Sequence, residues 1–300
     1  MPELPEVETV RRQLAPRLTG RRAITLEIRD PRWCAPRPPA ELVQAVCGRR
    51  IEALRRRGKF LIFELESDRF LVCHLRMTGT LLYDPLGDPA HTRVGVELDD
   101  GHRLAWVDPR RFGTGEVAVG SAALAARLAR LGVEPLEPGF TPTAMRSLAR
   151  GSRTPIKAFL LDQHRIAGVG NIYADEALHR AGIHPLRPAG RVTLPGWSAL
   201  CAGVRAALTE GIEAGGATID DFRHLDGARG AYQDAFRVHR RAGEPCPECG
   251  TPVRKLVAAG RGTYVCERCQ PRPRRRGARA EGPASAGKPQ PRPRATRRAR

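Results

Sequence analysis

Four cysteines near the C-terminus constrain the fold of this 300-residue chain more than any other feature. Cys246 and Cys249 form one close pair, and Cys266 and Cys269 follow after sixteen intervening residues. Two such thiolate pairs on successive turns can complete a tetrahedral zinc site, whereas a redox centre needs only one pair and disulfides are disfavoured in a reducing compartment. The spacing predicts one structural Zn²⁺ without a catalytic role, because four sulfur ligands leave no open position.

The charge of the chain predicts a polyanionic partner. It carries 51 Lys and Arg against 32 Asp and Glu, a formal net charge of +19. Nucleic acid is favoured over an anionic membrane surface. The segment between the cysteine pairs supplies Arg254, Lys255 and Arg261. A small zinc hairpin in a basic chain indicates a nucleic-acid contact, and a purely structural clip is the alternative.

The sequence predicts a soluble protein that is not exported. No stretch approaches the roughly 18 consecutive apolar residues of a membrane-spanning helix, and the N-terminus lacks the basic and apolar regions of a signal peptide. The other four cysteines are scattered along the chain, which fits a reducing cytosol. We therefore expect a cytoplasmic protein with no membrane partner.

The first half of the chain predicts mainly strands. Apolar residues alternate in residues 24–28, 61–65, 71–77 and 94–98, the period of half-buried strands. Asp100-Gly101 predicts a hairpin before Leu104 and Trp106. A helix from about Pro5 to Ala15, ended by Pro16, precedes these strands.

The second half predicts helices. Apolar residues at helical spacing begin after Ser121, the expected N-cap, and stop at Gly132. Further helices are predicted over 154–162, 171–181 and 197–214, with a mobile loop over 217–235. Strands followed by helices give an α+β fold class. Residues 271–300 hold eleven basic residues and one Glu and are too rich in Pro, Arg, Ala and Gly to form a core, so we expect disorder there.

Two further motifs have chemical potential. Removal of Met1 would expose the secondary amine of Pro2, a usable nucleophile beside the carboxylates of Glu3 and Glu6, although Glu near a helix N-terminus more often complements the helix dipole. Gly168-Val169-Gly170-Asn171 precedes a helix. It is either an ordinary helix cap or a backbone site for phosphate.

Together these pieces resemble the formamidopyrimidine-DNA glycosylase family of bacterial base-excision repair enzymes over about residues 2–270. The matching segments, all in the family's order, are Pro2-Glu3-Leu4-Pro5-Glu6-Val7-Glu8, Arg57-Gly58-Lys59-Phe60-Leu61, His74-Leu75-Arg76-Met77-Thr78-Gly79, Asp108-Pro109-Arg110-Arg111-Phe112-Gly113, Gly168-Val169-Gly170-Asn171-Ile172-Tyr173-Ala174 and the four cysteines. The resemblance implies an N-terminal β-sandwich domain with an N-terminal helix, and a C-terminal helical domain with a helix-two-turn-helix and a zinc-finger hairpin. The implied units are a catalytic domain (2–132), a linker (133–142), a DNA-binding domain (143–235) with its lesion lid (217–235), a zinc finger (236–270) and a basic tail (271–300).

The resemblance also implies a mechanism on oxidised purines such as 8-oxoguanine and formamidopyrimidines in duplex DNA. The Pro2 amine attacks C1′ of the flipped nucleotide, expels the base and forms an imine, from which β- and δ-elimination nick the strand. Glu3 matches the residue that moves protons at the sugar, and Glu6 a supporting carboxylate. Lys59 matches the proton donor of β-elimination and Arg261 the finger arginine linked to δ-elimination. From the residues alone, Lys59 would be a solvated charge at a strand end.

A second set of residues matches the family's DNA contacts. Met77, Arg110 and Phe112 match the wedge that fills the gap left by the flipped base, although Met77 and Phe112 alone would indicate ordinary core packing. The residues matching positions along the DNA path are His74, His91, Lys157 and Asn171. The expected partner is damaged double-stranded DNA, bound by a monomer without an organic cofactor in the bacterial nucleoid.

Three departures from the family pattern leave questions open. Ala231 stands in the lid where the family commonly has Tyr, and Arg76 stands beside the wedge where Gly is usual. The tail beyond Gln270 is either a solvated extension or a nonspecific DNA tether; a tether predicts that deleting 271–300 flattens the salt dependence of binding. The alternatives in function are an endonuclease VIII-like enzyme for oxidised pyrimidines, disfavoured by Leu4, and a catalytically silent DNA-damage binder, disfavoured by Pro2, Glu3 and Lys59.

Overall fold

The structure is a computed structural model that describes residues 1–219 and 222–273. The helices are α1 (Leu4–Leu18), α2 (Pro39–Val46), α3 (Ser121–Leu128), α4 (Pro142–Leu148), α5 (Ile156–Leu161), α6 (Asn171–Arg180) and α7 (Leu194–Glu213). The strands are β1 (Ala23–Ile28), β2 (Ile51–Arg57), β3 (Phe60–Leu65), β4 (Arg69–His74), β5 (Thr80–Tyr83), β6 (Thr92–Leu98), β7 (Arg103–Val107), β8 (Thr114–Val119), β9 (Arg254–Ala258) and β10 (Arg261–Val265). Short 3₁₀ helices cover Pro31–Trp33, Ala189–Arg191 and Tyr232–Ala235.

The N-terminal half is a sandwich of two antiparallel four-stranded sheets, ordered β1-β6-β7-β5 and β2-β3-β4-β8. Alternate residues such as Leu61 and Leu65 lie in the core between the sheets. The rings of Trp33 and Trp106 meet edge to face with centroids 5.4 Å apart in that core. Helix α1 contributes Val7, Val10, Leu14 and Leu18 to the same core, so the predicted α+β fold class is confirmed.

The C-terminal half has a separate hydrophobic core built from α5, α6 and α7. Trp197 of α7 is fully buried and packs edge to face on Phe159 of α5. A hydrogen-bonded turn at 163–165 and a bend at 167–168 connect α5 to α6, at the place of the expected helix-two-turn-helix. Leu4 belongs to this second core although its helix otherwise packs on the sandwich, so the first turn of α1 lies where the two halves meet.

Several predicted element ends were wrong. Pro16 lies inside α1, which continues to Leu18 because Leu14 and Leu18 are anchored in the core and the loss of one hydrogen bond near the helix end is tolerated. Strand β4 ends at His74 rather than continuing to Met77. Gly120, not Ser121, is the N-cap of α3, which ends at Leu128.

In the second half, helix α5 begins later than predicted and helix α7 begins earlier. Helix α5 starts at Ile156, with Pro155 as its N-cap. Helix α7 starts at Leu194, where the hydroxyl of Thr193 accepts a hydrogen bond from the Gly196 N–H. Element ends are set by such local contacts, which apolar periodicity does not report.

Two segments predicted as irregular are held in place where the structure describes them. Val133, in the expected linker, forms a parallel bridge with Ile166. In the expected lid, Ala217 bridges Ala231, and Phe222 and Leu225 are buried in the sandwich core. The basic tail from residue 274 onward lies outside the described residues. No helix in the described part of the chain is long and apolar enough to cross a membrane.

Candidate active site

One cleft, with a volume of about 530 Å³, brings together residues from both halves and from the β9–β10 hairpin. Nine of the twelve predicted catalytic and DNA-binding residues line it, namely Pro2, Glu3, Glu6, Lys59, His74, Met77, Arg110, Asn171 and Arg261. The three that do not line it are His91, Phe112 and Lys157. Residues distant in sequence therefore converge on a single surface.

The first turn of α1 holds two buried carboxylates. Glu3 and Glu6 are 2 % and 1 % exposed. The Glu3 N–H donates to Glu6 Oε2 (2.7 Å), the capping arrangement that begins the helix. Glu6 Oε1 accepts from the Tyr173 hydroxyl (2.7 Å) and the Ala217 N–H (2.9 Å), and Glu3 Oε1 accepts from the Ile172 N–H (3.0 Å). The carboxylates thus do more than complement the helix dipole, because partners from α6 and the lid fix both of them.

Burial, and then the nearby charge of Glu3, raise the pKa of Glu6, although hydrogen bonds from Ala217, Tyr173 and the Glu3 N–H act in the opposite direction. A carboxyl group with a raised pKa can carry a proton closer to neutral pH. Glu6 is therefore suited to support proton movement beside Glu3.

The Gly-Val-Gly-Asn motif makes room for the N-terminal residues. A Cβ on Gly170 would lie 2.2 Å from Cδ of Glu3, and one on Gly168 would lie 2.6 Å from Cδ1 of Leu4. Gly168 also has a φ of +88°, and its carbonyl accepts from the Leu4 N–H (3.1 Å). The glycines therefore let the start of α1 approach the start of α6. Neither interpretation made from the sequence, a helix cap or a phosphate site, described this role.

Lys59 is buried in the cleft wall, with only 5 % of its surface exposed. It follows Gly58, which turns β2 into β3 with a φ of +57°. Burial lowers the pKa of Lys59, and the positive charge of Arg261 lowers it further, whereas the negative charges of Glu3 and Glu6 raise it. It is not a solvated charge at a strand end, and a lysine in this setting can exchange its proton nearer to neutral pH.

The loop over residues 108–113 presents Arg110 and Phe112. The buried carboxylate of Asp108 accepts from the Thr78 hydroxyl and from the Gly113 N–H, which fixes both ends of the loop. The Arg110 guanidinium lies over the Phe112 ring, 4.9 Å from its centroid. Phe112 is 50 % exposed, so ordinary core packing does not explain it.

His74 presents a neutral N–H donor to the cleft. Its Nδ1 accepts a hydrogen bond from the Arg76 N–H (2.9 Å), which places the ring proton on Nε2. Burial, reinforced by the charges of Arg76 and Lys59, lowers the pKa of His74 to about 3. The imidazole therefore stays neutral over the physiological range and can still donate to an anionic ligand.

Arg76, His91 and Arg111, all in or near the wedge, adopt left-handed backbone conformations that favour glycine. Arg76 has a φ of +56°, and its exposed side chain lines the cleft. His91 has a φ of +66°, and its carbonyl accepts from the Asp108 N–H (3.1 Å). A non-glycine residue there carries backbone strain of about 1 kcal/mol. His91 thereby supports the 108–113 loop from outside the cleft.

Lys157 lies beneath the cleft rather than on its surface. The residue is fully buried, and its Nζ lies 2.7 Å from Asp175 Oδ1. The same ammonium donates to Thr263 Oγ1 (2.8 Å) and to the Gly262 carbonyl (3.2 Å), which also accepts from Asn171 Nδ2 (3.1 Å). Together these bonds hold the start of β10, the strand that carries Arg261 into the cleft.

The four cysteines form one cluster whose Sγ atoms all lie within 4.8 Å of one another. Cys246 and Cys266 are buried, and Cys249 and Cys269 are half-buried. Hydrogen bonds from Thr251 lower the pKa of Cys249 to about 6, whereas burial raises the pKa of Cys266 and of Cys269, so a bound cation would have to displace protons from those two thiols. Four converging sulfurs fit one structural Zn²⁺, as predicted.

Comparison with known proteins identifies the family. Sequence profiles match the formamidopyrimidine-DNA glycosylase N-terminal domain at residues 1–115, the H2TH domain of the same family at 131–223, and a zinc finger found in FPG and IleRS at 243–272. The formamidopyrimidine-DNA glycosylase of Chloroflexus aggregans is 46% identical over 273 residues, which cover 90% of this chain and 98% of that protein. The chain belongs to the formamidopyrimidine-DNA glycosylase family. The finger match and the cysteine cluster are together consistent with one structural zinc ion.

Solved structures of formamidopyrimidine-DNA glycosylases agree with this chain in fold. The MutM (Fpg) protein of Thermus thermophilus aligns with a TM-score of 0.81 and 43% identity, over 90% of this chain and 98% of that one. A mutant of the Lactococcus lactis Fpg in complex with Fapy-dG containing DNA aligns with a TM-score of 0.85 and 35% identity, over 90% of this chain and 100% of that one. Another structure of the Lactococcus protein contains an oxidized pyrimidine containing DNA.

Some functional contacts in this family member were missed from the sequence. Tyr173 was noted only as part of a motif, yet it holds Glu6 and stacks on Tyr232 with ring centroids 5.2 Å apart. Asp108 organises the 108–113 loop. The only local sequence signal for Asp108 was its position at the start of a charged loop that ends in glycine. Tyr173 had no signal beyond its place in the motif.

Proposed function

We propose that this chain is a bifunctional enzyme that removes oxidised purines, 8-oxoguanine and formamidopyrimidines, from duplex DNA and then nicks the strand. The observation that carries the proposal is the meeting of Pro2, Glu3, Glu6 and Lys59 in one cleft with the basic side chains Arg110 and Arg261. Binding alone would not require a buried N-terminal proline beside two buried carboxylates and a buried lysine.

In the glycosylase step, the nucleophile is the secondary amine of Pro2. Met1 lies at the cleft and is 41 % exposed, and its removal frees this amine. The amine attacks C1′, the bond from C1′ to the base breaks, and the departing base takes the bonding electrons and a proton. The C1′–O4′ bond then opens, O4′ takes a proton, and the Pro2 nitrogen, which has lost its own proton, forms a positively charged imine with C1′. Glu3, held by Ile172, moves protons at the sugar, and Glu6 supports it.

In the lyase step, the imine acidifies C2′ and then C4′, so that the phosphate on each side can leave in turn. Lys59 is the proton donor for β-elimination, and its lowered pKa suits transfer near neutral pH. Arg261 stands at the start of β10, exposed to the cleft, where it grips the phosphate that leaves in δ-elimination.

DNA recognition follows from the exposed groups. Duplex DNA buries the glycosidic bond, so the damaged nucleotide must be flipped out at a cost of a few kcal/mol. Met77, Arg110 and Phe112 are suited to occupy the gap, since an apolar side chain, a cation and a half-exposed ring can replace stacking and pair with the orphan base. His74 and Asn171 donate to the backbone of the bound strand, and the Lactococcus relative supports DNA containing Fapy-dG as a ligand.

Oxidised pyrimidines are the second candidate substrate class. The observation in their favour is that the Lactococcus protein has been solved with an oxidized pyrimidine containing DNA. Ala217, Ile219 and Phe222 of the expected lid line the cleft, so they are placed to contact a flipped base. We favour purines because Leu4, typical of the purine branch, is fully buried here against Gly168.

The test is borohydride trapping on three duplexes of one sequence, containing 8-oxoguanine opposite cytosine, an oxidised pyrimidine, or no damage. Protein confirmed to begin at Pro2 is incubated with each, and the cross-linked peptide is mapped by mass spectrometry. We expect a cross-link at Pro2 with the 8-oxoguanine duplex, and none with undamaged DNA. Glu3→Gln should bind the damaged duplex but trap more slowly. A stronger cross-link with the pyrimidine would reverse the substrate assignment, and no cross-link with either lesion would leave a damage-binding protein.

A further inference from the structure

Helix α6 carries a polar stripe that faces the zinc-finger segment, residues 236–270. Asn171, Asp175 and His179 are spaced four residues apart and therefore lie on one face of the helix. Asn171 Nδ2 donates to the Gly262 carbonyl (3.1 Å), and Asp175 Oδ2 accepts from His239 Nδ1 (2.9 Å). The third member of the stripe reaches the cysteine cluster itself.

The contact is between His179 Nε2 and Cys246 Sγ, at 3.3 Å. His179 is 4 % exposed and Cys246 is 2 % exposed, so water does not compete for either group. The other ring nitrogen, Nδ1, is buried without a hydrogen-bond partner. The ring therefore places its proton on Nε2, because an N–H at Nδ1 would be buried and unpaired while a bare Nε2 would face the sulfur with its lone pair.

We propose that His179 is a second-sphere residue of the zinc site, in which its Nε2–H donates to the Cys246 thiolate and fixes the metal-binding cluster to α6. Four thiolates around one Zn²⁺ leave an excess of negative charge, and an N–H donor disperses part of it. The predicted effect is slower loss of zinc from the native protein. His179 contacts neither the cleft nor the expected reacting atoms, so its role is that of a positioning residue.

A second set of contacts shows that the same helix supports the segment on both sides of this bond. Glu176, fully buried, accepts from the backbone N–H groups of Arg237, Val238 and His239 at 2.9 to 3.1 Å. At the far end, Gln270 Nε2 donates to the Ile183 carbonyl (2.9 Å), just after α6. The His179 bond is therefore held on a rigid base, which is what a second-sphere donor needs in order to stay aligned.

The experiment measures zinc release from the full-length, zinc-loaded protein to excess EDTA, with the chelated metal followed over time. His179→Phe keeps the ring volume and removes the donor, whereas His179→Gln places an amide N–H near the position of Nε2. Leu178→Val is the matched control, because Leu178 is 1 % exposed in the helical core and lies off the stripe. If H179F does not fold, His179→Asn, which is too short to reach the sulfur, takes its place.

We expect H179F to release zinc at least about 10-fold faster than the wild type, in line with the 10- to 100-fold effects of second-sphere changes on metal affinity. H179Q and L178V should stay close to the wild type. In cobalt-substituted protein, the thiolate-to-metal charge-transfer band should move to lower energy in H179F and not in H179Q, because an undonated thiolate is more electron-rich. Equal release rates for H179F and wild type, or for H179F and H179Q, would overturn the proposal. Neither readout depends on glycosylase activity.

Discussion

Substitution of Gly170 by Ala tests whether this glycine exists to accommodate Glu3. The added Cβ would lie 2.2 Å from Cδ, 2.4 Å from Oε1 and 2.6 Å from Cγ of Glu3. Carbon atoms in contact prefer about 3.5–4.0 Å, so the carboxylate must move by more than about 1 Å. The backbone of Gly170 is extended, with a φ of −129°, and alanine adopts it without strain. The clash is therefore relieved by the Glu3 side chain rather than by the helix.

Movement of Glu3 breaks its hydrogen bond from the Ile172 N–H, which measures 3.0 Å. Loss of a hydrogen bond to a charged group costs about 1.5–3 kcal/mol, so we expect the free energy of unfolding of G170A, measured by denaturant titration, to fall by that amount. If Glu3 moves protons at the sugar, its displacement should slow single-turnover base excision by about 10² to 10⁴-fold.

The control is Gly139→Ala, since a Cβ there would meet only Val133 Cγ1 at 3.8 Å, an ordinary contact. The double variant of G170A with Glu3→Gln should be little slower than the slower single variant, because both changes act through one carboxylate. Wild-type excision rates in G170A, or rate losses that multiply in the double variant, would refute the reasoning.

Three further predictions concern the cleft. His74→Asn keeps an acceptor for the Arg76 N–H but does not titrate. The pKa of His74 is about 3 in the folded protein and near 6.5 in the unfolded chain, so the wild-type free energy of unfolding is retained above pH 6.5 and declines below it. In urea unfolding, lowering the pH from 7.5 to 5 should therefore cost the wild type about 2 kcal/mol more than H74N. Arg76→Gly removes the backbone strain of a φ of +56° and should raise the free energy of unfolding by up to about 1 kcal/mol. It should also reduce the slope of log K for DNA binding against log salt concentration by about one, and an unchanged slope would mean that Arg76 does not contact phosphate. Phe112→Ala removes a ring that is 50 % exposed, so the melting temperature of the protein should barely change while its affinity for a lesion duplex falls about tenfold. If the variant and the wild type bind the lesion duplex equally well, the Phe112 ring does not stack on a base.

Much of the fold could be predicted because its signals are local. Alternation in residues 61–65 and 94–98 gave real strands, and the four cysteines gave the cluster from spacing alone. Pro16 misled because its effect depends on the anchoring of Leu18, a tertiary contact. Helix ends were displaced for a different reason, since caps such as Gly120 depend on the backbone conformation of a single residue, which apolar periodicity does not report.

The candidate site was harder to predict because its contacts join distant parts of the chain. The resemblance named the cleft residues, but it could not tell that Lys157 pairs with Asp175 below the surface. Nor could spacing report that Gly170 faces Glu3, or that His179 reaches Cys246, since each pair is brought together only by packing of α6. Contacts of this kind leave no periodic trace in the sequence.

The burial of Leu4 in the core of the C-terminal half has a consequence for synthesis of the chain. Leu4 and Glu6 leave the ribosome well before their partners, because the Leu4 N–H donates to the Gly168 carbonyl and Glu6 accepts from the Ala217 N–H. The strands of the N-terminal sandwich all precede residue 120, but the start of α1 lacks Gly168, Ile172 and Tyr173 until more than half of the chain has emerged, and it lacks Ala217 until more than two thirds has emerged. The site expected to carry the chemistry is therefore assembled late, so a growing chain holds an N-terminus that is not yet organised for attack on DNA.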